Sequence, residues 1–156
     1  MPERTLPYRD GTWFAVPLRT AGYGIGVVAR CDGKGIVLGY FFGPKALSPP
    51  SLAEVCQLPP ERAVLIRRFG DLGLLRGEWP IIGHDPHWDR RRWPVPSFGR
   101  IALDGQWAVA VQYNEEDIGS VVSERPISVE EARTLPDNGL SGYGAIEIRL
   151  TKLLER

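Results

Sequence analysis

The sequence predicts an α+β fold that is predominantly β, an antiparallel sheet or partly open small β-barrel with two or three short helices. Two observations carry this reading. Short apolar and aromatic runs recur along the chain, punctuated by 18 glycines and 14 prolines. Asp32-Gly33 and Asp104-Gly105 stand between such runs, where their tolerance of positive φ favours hairpin turns.

The elements follow in order. Thr12 to Leu18 reads as a strand, and Arg19 to Gly22 as a turn. Tyr23 to Arg30 is a second strand. The hairpin at Asp32-Gly33-Lys34-Gly35 leads into a third, Ile36 to Phe42. Ser51-Leu52-Ala53-Glu54 has capping-box spacing, so a short helix runs from there to Leu58 and stops at Pro59-Pro60. Ala63 to Phe69 reads as a strand and Asp71 to Arg76 as one helical turn ended by Gly77. Trp79 to Gly83 is an extended piece whose proline suits an edge. Residues 84–97 form a long irregular loop, a feature that is often functional in a compact domain. Phe98 to Leu103 and Gln106 to Tyr113 flank the second hairpin turn, and Ile118 to Ser123 is a further strand. Ser128 caps a helix to about Leu135 before the turn Pro136-Asp137-Asn138-Gly139. In the last segment Ile146, Ile148 and Leu150 alternate as in a strand. Tyr143, Ile146, Leu150, Leu153 and Leu154 share a helical stripe. The stripe runs further, which favours helix for residues 143–154.

The expected organisation is a single domain over residues 1–156. A chain of this length buries roughly two-thirds of its unfolded surface and needs no metal or disulfide staple. Cys31 and Cys56 fit reduced thiols in a cytoplasmic protein. Met1-Pro2-Glu3-Arg4 lacks the basic-then-apolar build of a secretory signal, and no run has the apolar length of a membrane span. Lys and Arg number 19, as do Asp and Glu. Residues 1–100 hold 14 basic against 9 acidic side chains, and residues 101–156 hold 5 against 10. The even balance argues against nucleic acid as the partner, although a local patch stays open.

The sequence points to no catalytic, cofactor-binding or metal site. Gly22-Tyr23-Gly24-Ile25-Gly26-Val27-Val28-Ala29 matches a dinucleotide fingerprint in letters. Its glycines, however, run into a strand and a hairpin, leaving no room for the helix that receives a pyrophosphate. His84, Asp85, His87 and Asp89 gather possible metal ligands, but Pro86 disfavours a helix and no further histidine exists. A solvated, turn-forming loop is the preferred reading, with a metal-dependent enzyme the remote alternative. No Gly-x-Ser-x-Gly elbow occurs, and neither cysteine has a nucleophile's context. Two segments remain as candidate partner-binding residues. One is Trp88 with Arg90, Arg91, Arg92 and Trp93, residue types that anchor protein interfaces. The other is the acidic turn Glu115, Glu116 and Asp117.

The order of three motifs is informative. Trp13-Phe14-Ala15-Val16-Pro17-Leu18, then Gly22-Tyr23-Gly24-Ile25-Gly26-Val27-Val28, then Gly77-Glu78-Trp79-Pro80-Ile81-Ile82-Gly83-His84 resembles the immunity protein 26 family of bacterial polymorphic-toxin systems. Phe98-Gly99-Arg100 and Gly142-Tyr143-Gly144 are consistent with it, so the resemblance extends over roughly residues 12–150. It implies a non-enzymatic protein that binds a cognate toxin and blocks it, and it supplies no set of functional residues. Trp13, Phe14, Tyr23 and Trp79 are then fold determinants. The Trp88–Trp93 loop would suit a partner with an acidic rim, and the acidic turn the basic cleft of a nuclease. The alternative is a small β-barrel that binds nucleic acid or a small ligand through residues 84–97, arginine pairing with phosphate and tryptophan stacking on bases.

Overall fold

The computed structural model describes residues 5–155. Met1 to Arg4, whose lack of a signal-like pattern was noted above, lie outside the described residues. Among the described residues nine strands form two open sheets, with no closed barrel, and four short helices pack on them. The larger sheet contains β1 (Thr12–Pro17), β2 (Tyr23–Cys31), β3 (Ile36–Ala46), β4 (Leu65–Gly70), β5 (Ile81–His84) and β9 (Leu140–Ser141), in the order β5-β1-β2-β3-β4-β9. The smaller one is the meander β6 (Phe98–Ile101), β7 (Ala108–Asn114) and β8 (Asp117–Ile127). The helices are α1 (Leu52–Val55), α2 (Leu72–Leu75), α3 (Val129–Thr134) and α4 (Tyr143–Leu154).

The apolar runs of β1 to β3 are near-continuous because the large sheet is covered on both faces. Side chains alternate across a strand. Trp13, Val27, Leu38, Tyr40 and Phe42 therefore face the small sheet and loop 85–97, where they meet Trp93, Phe98, Val111 and Ile118. Phe14, Val28, Val37, Phe41 and Phe69 face the other way, against Trp79 and the Ile146–Leu150 stripe of α4. Two glycines of β2 make that second layer possible. Gly26 lies opposite Phe14, and a Cβ there would sit 2.5 Å from the Phe14 ring. Gly24 gives the same clearance to Leu150, so α4 comes down close to the sheet. Trp79 stacks on Phe14 with ring centroids 5.4 Å apart, and its indole N–H donates to Glu147 of α4 at 2.9 Å.

The element boundaries depart from expectation where tertiary pairing decides them. The Ser51 capping box forms, but α1 stops after Val55. β8 runs from Asp117 to Ile127, longer than expected, because β7 pairs with it as far as Ile127. The hairpin strands β6 and β7 are shorter, since the Ala102 N–H bonds the Trp107 carbonyl and closes a wider turn. β9 had no sequence signal at all. Its two residues run parallel to β4, pairing with Arg68 and Phe69. The C-terminal stripe is the helix expected.

Candidate functional site

The site begins with an irregularity in β2. Val28 pairs with Gly39 and Arg30 with Leu38, leaving Ala29 as an extra residue. Such a bulge re-aims the side chain that follows it. Arg30 would otherwise point toward α4. Opposite Leu38 it instead faces the small sheet, with only 3% of its side chain exposed. There it donates to the Ala29 carbonyl at 2.7 Å, the Arg90 carbonyl at 3.3 Å and the Glu115 carboxylate at 3.3 Å. A lone arginine closing an otherwise apolar strand is the one sign of this role in the sequence.

Arg30 thereby ties together the two segments that the sequence offered as separate candidates. Arg90 completes the junction, bonding the Glu115 carbonyl at 2.6 Å and the Glu116 carboxylate at 3.0 Å. A hollow of about 320 Å³ between them is lined by Arg30, Arg90, Arg91, Pro94, Glu115 and Glu116. Each segment is held by its own side chains. Asp85 accepts from the His87 N–H and Asp89 from the Arg91 N–H, which places Arg90–Arg92 in a single 3-10 turn. Asn114 accepts from the Glu116 N–H, and Asp117 takes the Gly119 N–H and the Ser120 hydroxyl. Short aspartate and asparagine side chains favour such turns because they reach the backbone two residues on.

The tryptophans of the loop have a different fate. Trp93 is buried, edge-on to Trp13, Tyr40 and Phe42, and Trp88 stacks on it, half-buried. They are the lid of the core under the loop. Arg91 and Arg92 are exposed, as are Asp89, Glu115 and Glu116, so the surface carries charge of both signs. His84 accompanies the sheet, its Nδ1 2.6 Å from the Thr12 hydroxyl, while His87 lies exposed at the turn. Burial, with Arg9 nearby, holds the His84 imidazole below its ordinary value. Beside Arg90 and Arg30, burial raises the Asp10 carboxyl above the usual carboxylate range, against the pull of the Cys31 thiol and both arginines. Among the described residues no cluster of three or more His, Cys, Asp or Glu is arranged to hold a metal ion. No helix among them is long and apolar enough to cross a membrane.

The class defined by this frame is a small α+β protein of two open sheets, presenting charge of both signs on a surface fixed from below. The chain belongs to the Immunity protein 26 family, whose model matches residues 9–109. The match includes the Trp88–Trp93 loop and ends before the acidic turn. Comparison with curated proteins and with solved structures gives no match.

Proposed function

We propose that the chain, acting as one unit over residues 1–156, is a cytoplasmic immunity protein that binds a cognate bacterial toxin domain and neutralises it by steric occlusion. Membership of the Immunity protein 26 family is the observation that carries this reading. The mechanism needs no chemistry of its own. A rigid surface covers the toxin's active site, and complementary charge raises the rate of encounter.

The surface we favour is the junction of Arg90, Arg91 and Arg92 with Glu115, Glu116 and Asp117, Trp88 and Trp93 supporting it from beneath. Two features support the choice. The turns that carry the groups are pre-organised by aspartate and asparagine bonds to their backbone, so little loop entropy is lost on docking. The mixture of signs also disfavours a polyanion, whose phosphates meet Glu115 and Glu116 beside the arginines. Trp93, buried under the loop, offers no face for stacking on a base.

The test is a pull-down from the native bacterium with this protein as bait, followed by co-expression with the captured toxin domain. Capture of a toxin-bearing protein and rescue of growth support the reading. Recovery of nucleic acid alone, or growth arrest unaffected by the protein, overturns it. Charge reversal at Arg91 and Arg92, and separately at Glu116, then maps the surface.

A further inference from the structure

We infer a second docking surface, for an acidic, extended segment of a partner protein that adds as a strand to the open edge of β4. The observation behind it is how β9 meets the large sheet. The chain leaving α3 pairs first with β6. Gly99 donates to the Pro136 carbonyl at 2.8 Å and accepts from the Asn138 N–H at 3.0 Å. Only then does it reach β4, covering Arg68 and Phe69. Leu65 to Arg67, paired with β3 on one side, have no strand neighbour on the other among the described residues. An unpaired edge is a template for another strand.

The edge lies at the bottom of a groove. Two cavities of about 590 and 650 Å³ flank it, one against α4 and one against α3 and β6. They share Leu65, Arg67, Asp137 and Arg149 as lining and so run together. Five cations line the pair: Arg67, Arg100, Arg133, Arg149 and Lys152. The one carboxylate is Asp137. Arg67 is paired with Asp137 at 3.1 Å and Arg100 with Glu124 at 3.4 Å, whereas Arg133, Arg149 and Lys152 have no ion pair among the described residues. The groove therefore carries uncompensated positive charge above a floor containing Leu65 and Leu153.

Strand addition takes its affinity from main-chain hydrogen bonds and its specificity from alternate side chains. A segment alternating acidic and aliphatic residues satisfies both parts of this groove. The protein's own segment is a precedent, since Asp137 enters on Arg67 just before β9 joins β4. A nucleic acid finds phosphate partners here but no aromatic side chain for its bases. This inference does not depend on the partner being a toxin.

The experiment is fluorescence anisotropy on the full chain with a labelled peptide of alternating valine and glutamate. Specific binding is expected, with amide NMR shifts concentrated at Val64 to Arg67. Arg149→Glu combined with Lys152→Glu, both on the exposed side of α4, is expected to weaken binding by about tenfold or more. N-methylation of alternate peptide amides is expected to abolish it. Absence of binding, equal binding of a valine–lysine peptide, or undiminished binding of the N-methylated peptide overturns the proposal. So does a preference for single-stranded DNA over the peptide. None of these results bears on toxin capture, so the immunity reading stands or falls separately.

Discussion

Trp88 stacks on Trp93 with ring centroids 5.1 Å apart and planes 21° from parallel. The pair seals the large sheet beneath the charged loop, with Trp93 edge-on to Trp13 at 5.8 Å and to Tyr40 at 5.2 Å. The aromatic and the charged residues of this loop thus serve different ends. The rings hold the loop down, and Arg91 and Arg92 are what it presents, with Arg90 tied to Glu115 and Glu116.

The first prediction separates these roles. Trp93→Ala is expected to destabilise the fold by about 3–5 kcal/mol, the range for truncating a buried aromatic. Trp88→Ala, which removes a half-buried ring, is expected to cost less. Urea unfolding measures both. If Trp93→Ala left the midpoint unchanged, the loop would not depend on its core contact.

A second prediction concerns Arg30. Removing it by Arg30→Ala takes away a buried donor that joins β2 to both charged segments, at an expected cost of about 1–3 kcal/mol. Glu115→Gln leaves Arg30 bonded to two carbonyls, and the Glu115 side chain is 56% exposed. Because the Glu115 end of the pair lies in solvent and Arg30 keeps both carbonyl bonds, the expected cost is smaller, below about 1 kcal/mol. Equal costs for the two variants would show that the ion pair, rather than the backbone bonds, holds the junction.

Gly26 supplies a third. A Cβ at this position meets the Phe14 ring, which is itself packed between Phe41 and Trp79 and cannot retreat. Gly26→Ala is therefore expected to destabilise by about 1–3 kcal/mol through overpacking. Gly33→Ala is a useful contrast, because that Cβ enters open space and the cost comes from the positive φ alone. Thermal melts compare the two, and a neutral Gly26→Ala would contradict the close seating of the Phe14 ring over Gly26.

The fourth is a pH dependence on the alkaline side. Burial, reinforced by the neighbouring Asp10 carboxylate, pushes the Cys31 thiol up to about 12 from 9.0. Burial likewise pushes the Tyr40 phenol up to about 12 from 10.0, and burial with the Asp71 hydrogen bond raises Tyr8 further. These groups ionise more readily in the unfolded chain than in the folded one. Their contribution is therefore complete below about pH 9 and declines as pH rises toward about 12. Denaturant unfolding measured stepwise over this window is expected to show the decline, and Cys31→Ala to make it shallower. A flat profile would mean that these side chains are solvated.

Much of the fold was legible in the residues themselves. The Asp32-Gly33 turn set the β2–β3 hairpin, the Ser51 and Ser128 caps set two helix starts, and the apolar stripe from Tyr143 to Leu154 outran the competing strand alternation. These are local signals, carried by residues three or four apart or at a single turn. The motifs around Trp13, Tyr23 and Trp79 also carried the family; Trp13 and Trp79 are core positions whose sizes the packing constrains, while Tyr23 is half-buried at the start of β2. The charged segments at Arg90–Arg92 and Glu115–Asp117 were visible too, as composition.

What only the tertiary structure decided was which of these segments meet. Ala29, the extra residue in β2, turns Arg30 toward the small sheet, where it bonds both charged turns on one surface. No local pattern encodes it, since a bulge exists only relative to the partner strand's register. The same holds for β9, whose two residues become a strand only because β4 has an unpaired edge beside them. Propensity acts over a few residues, so the sequence alone determined most of the elements and the family. Pairing and burial act between residues far apart in the chain, and they determined the surface.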